Sequence, residues 1–217
     1  MSARRNRTRS AARAGYTLVE VMVALAVLSV GVTGILSMQN AAIQANRRAQ
    51  EMTIATNVAR RWMERLRRDS LMWNTPSQSN PVSDLGRDTR YVCLLVGCAG
   101  GGGGGMGNQW LVPPTVGTAG VGDLESAAFD AFGNDVPIGS TSTRFCTNLR
   151  LNWLVAQANN RQGLIRAEVR VWWYREGATR NAAYANCGSG AALGTLGQDI
   201  TTMHSVYVST TVTGNPL

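Results

Sequence analysis

The chain has 217 residues, enough for one globular domain plus an extended element, and its 21 basic residues against 13 acids give a net charge of +8. Divided along the chain, that charge argues against a nucleic-acid-binding body. Residues 1–15 hold five arginines and no acid (+5), residues 16–69 seven arginines and four acids (+3), and residues 70–217 nine of each (0).

The first element is a basic leader, residues 1–15, with Arg4, Arg5, Arg7, Arg9 and Arg13. It precedes an apolar helix expected over residues 16–38. From Val21 to Met38 no residue is charged, close to the ~20 residues that span a ~30 Å hydrocarbon core. A secretory signal would end in a small-x-small cleavage site, and Ser37-Met38-Gln39-Asn40 lacks one. A plain membrane anchor leaves Glu20 unexplained. A carboxylate in a bilayer costs roughly 2.5–3.5 kcal/mol at a helix centre and less near an end, and it is expected to have a partner.

Gly15-Tyr16-Thr17-Leu18-Val19-Glu20, between a basic leader and an apolar run, resembles the class III signal of type IV pilins and type II secretion pseudopilins. The resemblance implies cleavage between Gly15 and Tyr16 by a prepilin peptidase on the cytoplasmic face, and N-methylation of Tyr16. Phe is the common residue at that position, so Tyr16 departs from the pattern while keeping an aromatic ring. The resemblance also implies a partner for Glu20, namely the new α-amino group of a neighbouring subunit. Only one axial offset brings the two together, so the pair would set register. The leader stays cytoplasmic under the positive-inside rule, and residues after Met38 lie beyond the inner membrane.

Residues 39–71 continue as an amphipathic helix. Met52, Ala55, Ala59, Trp62 and Leu66 recur at three- and four-residue spacing, Ile54, Val58 and Met63 broaden the stripe, and arginines including Arg65 cover the other side. Met52 and Trp62 are expected in a core. Gly31 and Gly34 each weaken a helix interior by about 1 kcal/mol. Family members commonly carry a helix-loosening proline in this part; none occurs here before Pro76.

Residues 72–143 are expected to be an irregular Gly/Pro-rich connection. Gly100–Gly105 lack the lysine that a phosphate-binding loop requires, so a flexible loop is expected. The tract Cys93–Cys98 reads as a short strand or turn. Gly133-Asn134 marks a turn that Phe129 and Phe132 would anchor to the core. Asp123, Asp130, Asn134 and Asp135 offer oxygens, but their spacing does not match a calcium loop, so no metal is expected. Residues 144–217 read as an antiparallel sheet. Phe145–Val155 and Leu164–Tyr174 alternate and form a hairpin through Asn159–Gly163, with Leu149, Leu151, Trp153 and Val155 on one face. His204–Thr213 is the third strand.

The cysteines, Cys93, Cys98, Cys146 and Cys187, suit disulfides outside the cytosol. Cys93–Cys98 and Cys146–Cys187 are the favoured pairs, though four cysteines allow three pairings. Their spacing is not that of zinc ligands, and His204 is isolated. No catalytic constellation or cofactor motif emerges, so an enzyme is not expected.

The expected fold is α+β: a long N-terminal helix packed on a small antiparallel sheet, as in type IV pilins. Residues 19–31 and 59–67 further resemble minor pilins of the PilV kind. That resemblance implies partners among minor and major pilins, a large tip adhesin, and a role in priming assembly or in a tip complex. The glycine-bearing head favours a pilus over a type II secretion pseudopilin. A DNA-uptake pilin is disfavoured by the neutral head, and a membrane-anchored periplasmic binding module would keep its leader.

Overall fold

The computed structural model describes residues 15–73, 85–99, 105, 107–117, 124–156, 163–175, 187–188 and 201–214. The leader before Gly15, Pro76, Pro81, Gly100–Gly104, Asp123, the turn residues 159–162 and most of 175–201 lie outside the described residues. Helix α1 (Leu18–Leu71) is followed by a short helix α2 (Leu85–Asp88), a 3₁₀ turn (Val92–Leu95) and strands β1 (Ala128–Phe129), β2 (Asp135–Val136), β3 (Phe145–Val155), β4 (Leu164–Tyr174) and β5 (Met203–Thr213). The sheet has five strands in the order β2-β1-β3-β4-β5, every pair antiparallel. This is an α+β, type IV pilin-like architecture. Contacts divide the chain into two units, one ending at Arg48 and one beginning at Ala49.

In the second unit, α1 buries Ala55, Val58, Ala59, Trp62, Met63 and Leu66. These recur at the helical period, so they share one face. They pack with Phe145, Leu149 and Leu151 of β3, Ile165, Ala167, Val169, Val171 and Trp173 of β4, and Val212 of β5. Trp62 meets the ring of Tyr91 edge-on at 5.1 Å. The other sheet face carries a smaller cluster of Cys146, Trp172, Tyr174, Cys187 and Met203. There Asn148 Oδ1 accepts from Trp172 Nε1 (2.8 Å) and Arg170 Nη2 (3.0 Å), and its Nδ2 donates to the Cys187 carbonyl (3.1 Å).

The helix is attached to the sheet by polar groups as well as apolar ones. Glu51 accepts hydrogen bonds from Arg144 Nη2 and, at 3.0 Å, from Trp173 Nε1. Arg65, expected on the polar face, is buried. Its Nη2 reaches Asp135 Oδ2 at 2.8 Å, its Nε lies 3.4 Å from Glu125 Oε1, and its guanidinium lies over the Trp62 ring. Two carboxylates and an aromatic face compensate the buried charge. Asp69, near the end of α1, accepts from the backbone N–H of Arg90 (2.7 Å), Tyr91 (2.7 Å) and Val92 (2.8 Å). It thereby satisfies the orphan donors at the start of the 3₁₀ turn. Both disulfides pair as favoured, Cys93–Cys98 and Cys146–Cys187.

Several expectations are corrected. Met52 is half exposed, because the buried stripe of α1 begins at Ala55. Of the two readings of the Cys93–Cys98 tract, strand or turn, the turn is the one observed: a 3₁₀ turn in which Val96 and Gly97 N–H both bond the Cys93 carbonyl. The stretch 72–143 supplies β1 and β2 to the sheet. A bulge between Trp153 and Val155 shifts the register, pairing Val155 with Leu164 and taking it off the face shared by Trp153 and Ile165. Phe129 is buried, but Phe132 is 84% exposed. In that turn Gly133, at φ +81°, faces the helix, where an added Cβ would lie 3.2 Å from Ile54 Cγ2. The neighbouring Phe132 therefore stands in solvent.

Asp69→Ala strands Tyr91 and Val92 N–H groups in buried surroundings, at roughly 1–3 kcal/mol each. The expected loss is about 2–6 kcal/mol in urea unfolding followed by near-ultraviolet circular dichroism. A loss below about 1 kcal/mol contradicts the capping role.

Candidate functional site: the N-terminal helix start

Thr17 caps α1: its Oγ1 accepts from Glu20 N–H at 3.3 Å, and its carbonyl accepts from the N–H of Glu20 (3.1 Å) and Val21 (3.3 Å). Thr17-Leu18-Val19-Glu20 has the spacing of a capping box, and Glu20 lies in the first turn, where the helix dipole favours a negative charge. That spacing was readable in the sequence as a helix start, and it supplies a structural reason for an acid at this position beside any role in assembly.

From Leu18 to Met38 the helix is exposed on every side, and it contains a segment long and apolar enough to cross a membrane. An apolar surface this continuous is not sustained in water. The hydroxyls within it are satisfied locally. Ser29 Oγ donates to the Ala26 carbonyl (2.8 Å), Thr33 Oγ1 to that of Ser29 (2.7 Å), and Ser37 Oγ to that of Gly34 (2.8 Å). Back-bonding of this kind suits a medium without water. Nothing packs within 4 Å of a Cβ placed at Gly31 or Gly34. The Glu20 carboxylate is different: its oxygens make no hydrogen bond or ion pair with any described residue. Gly15 and Tyr16 precede the helix, and both are exposed.

The remaining predicted positions lie in the second unit. Asp130 closes its own turn, accepting from the backbone N–H of Phe132 (2.8 Å) and Asn134 (2.9 Å) and from Asn134 Nδ2 (3.1 Å). Asp135 is committed to Arg61, Arg65 and the N–H of Ser126. Among the described residues no group of acids, histidines or cysteines is arranged to hold a metal ion. A cleft of about 270 Å³ is lined by Arg65, Arg68, Asp69, Met72, Asp88, Arg90, Tyr91 and Glu125. Burial, joined by the 2.5 Å hydrogen bond from its hydroxyl to Glu125, pushes Tyr91 well above the ordinary phenol range. Near neutrality Tyr91 is a hydrogen-bond donor, not a nucleophile. His204 lies beside the Trp173 ring, 5.4 Å away, at the start of β5.

The family model described as the prokaryotic N-terminal methylation motif matches residues 10–36, the stretch that contains Gly15, Tyr16 and Glu20. No curated protein and no solved structure matches the chain. The motif supports a type IV pilin or pseudopilin-like protein, with processing by prepilin peptidase and assembly with other pilins. Together with the apolar helix, it fits a membrane-anchored pilin.

The Asp130 turn yields a pH prediction. Desolvation raises the carboxyl pKa, but hydrogen bonds from Asn134, Phe132 and Gly133 outweigh it and hold the group below the usual carboxylate value. A depressed folded value means the contribution is complete above the unfolded value of about 3.9 and fades as pH falls through the folded one. The amide resonances of Phe132 and Asn134 should therefore hold steady down to about pH 4 and move only below it. A midpoint above that value contradicts the hydrogen-bond assignment.

Proposed function

We propose that this chain is a minor pilin of a type IV pilus, of the PilV kind. Prepilin peptidase removes the leader, residues 1–15, by cutting between Gly15 and Tyr16, and Tyr16 is then N-methylated. The mature chain sits in the inner membrane through residues 16–38 with its head on the periplasmic side. It enters the filament beside other minor and major pilins, helping to prime assembly or to form a tip complex with a large adhesin. The role is structural rather than enzymatic.

One observation carries this reading. In a helix segment whose hydroxyls are satisfied internally, Glu20 presents a carboxylate with no partner among the described residues. Cleavage after Gly15 creates a cationic amine four residues earlier, and methylation keeps its charge. Between neighbouring subunits that amine and Glu20 become complementary ends, and each relieves the other's desolvation. The near-neutral second unit, with 14 arginines against 12 acids, suits a protein partner better than a polyanion.

The test separates processing from assembly. Gly15→Ala should retain the leader, read as an intact mass beginning at or near Met1. Glu20→Gln keeps size and helix capping but removes the charge. It should be processed normally, yet its ratio in sheared filaments to membrane should fall about tenfold or more, as for loss of one member of a desolvated pair. Normal incorporation of Glu20→Gln would contradict the register role.

A further inference from the structure

The cleft of about 270 Å³ lies wholly in the second unit, between the last turns of α1, the segment from Asp88 to Tyr91, and Glu125. Every carboxylate oxygen in it already has a donor. Asp69 Oδ1 accepts from the N–H of Arg90, and Oδ2 from those of Tyr91 and Val92. Glu125 Oε2 takes the Tyr91 hydroxyl, and Oε1 faces Arg65 Nε. Asp88 is held at both oxygens by its neighbour Arg87. The cations of the cleft are in the opposite condition. Arg68 and Arg90 are exposed, and neither guanidinium makes a hydrogen bond, ion pair or ring contact with a described residue. Arg65 is only 7% exposed, and its Nη1 is a buried donor that bonds no described residue. Arg68 stands in the last turn of α1, where the helix dipole favours a cation. That placement suits its charge and leaves its donors open.

A guanidinium has five N–H donors and no acceptor. A cleft whose acceptors are engaged and whose donors are open takes an acceptor, and the planar fork of arginine matches an oxyanion best. The geometry points to a binding site for a carboxylate, held by Arg68 and Arg90, with the buried charge of Arg65 adding to the attraction. The lining carries three arginines and three acids. One negative charge meets open donors there, while a second would face Asp69, Asp88 and Glu125 without compensation. A carboxylate is therefore preferred to a dianion such as sulfate. Met72, 51% exposed, lines the same cleft and offers an adaptable apolar surface to the carbon chain behind the carboxylate. The ligand class is a carboxylate on a short aliphatic stem, a chemistry shared by an acidic protein side chain and a free small acid. The inference rests on the second unit alone and does not depend on the pilin reading.

The test uses the full chain in detergent micelles with its disulfides intact, labelled at arginine nitrogens and methionine methyls, at about pH 6.5, where carboxylates are ionised. Sodium propionate, which has the stem of a glutamate side chain, is titrated at constant ionic strength. The Nε–H resonances of Arg68 and Arg90 and the Met72 methyl should shift and saturate with a Kd of about 10 mM or below. Arg60, exposed on α1 outside the cleft, should show no saturation. Sulfate should bind at least about threefold more weakly than propionate. Arg68→Gln with Arg90→Gln should weaken propionate at least about tenfold, read at Met72 and Arg65. Arg60→Gln with Arg67→Gln removes the same formal charge outside the cleft and should leave the affinity within about twofold. A capped tripeptide with glutamate at its centre distinguishes the sources: tighter binding than propionate assigns the site to a protein side chain, weaker binding to a free small acid. Failure of both carboxylates to saturate, sulfate bound as tightly as propionate, or equal losses in the two double variants would overturn the proposal and leave the pilin reading untouched.

Discussion

A carboxylate among apolar side chains must stay solvated, lose its charge or meet a cation. Glu20 stands at the start of a helix segment exposed on all sides and otherwise free of charge as far as Met38. The helix itself meets part of the demand, since Thr17 caps the first turn and the dipole at that end favours an anion. That effect is worth typically 0.3–1 kcal/mol at an exposed position, less than the several kcal/mol that burying an ion costs. In the proposed pairing the difference comes from another molecule, a cationic chain end on a neighbouring protomer at a fixed axial offset. That pairing would link a cleavage site, a membrane segment and an assembly register.

The second unit meets the same requirement inside its own fold. Arg65 is buried only because Asp135, Glu125 and the Trp62 ring surround it. Asp69 is buried against three backbone N–H groups. Glu51 receives Arg144 and Trp173 from the sheet side. These charged residues stand on α1, and each bonds a segment distant in sequence. Apolar burial supplies the non-directional attraction between helix and sheet, while the charged contacts select one placement. The disulfides then tie down the 3₁₀ turn and join Cys187 to β3.

Much of this was readable in the sequence. The apolar run, the three- and four-residue spacing of Ala55, Ala59, Trp62 and Leu66, and the alternation along β3, β4 and β5 are periodic signals that depend only on local geometry. What escaped depends on tertiary partners. Nothing local to Arg65 or Asp69 distinguishes them from the solvent-facing residues of the same helix. β1 and β2 are too short to show a period. Phe132 looks like a core residue until Gly133 is seen to occupy the place beside Ile54. The bulge that turns Val155 over leaves no mark in the alternation before it. At the N-terminus the motif was legible because its chemistry is local; the Thr17-x-x-Glu20 cap went unread, although its spacing is an equally local signal. Among the described residues Glu20 has no partner, and its pairing with a neighbour's chain end is proposed.

The most direct test is the distance between that carboxylate and the chain end in assembled material. Filaments formed from a mixture of two labelled preparations, one with ¹⁵N at the Tyr16 amine and the other with ¹³C at the Glu20 carboxyl carbon, would be examined by dipolar-coupling solid-state NMR. Pairing between protomers predicts a coupling that corresponds to a separation of about 4 Å, the range of an ion pair. Well-formed filaments in which that coupling is absent, or in which the chain end is not Tyr16, would contradict it.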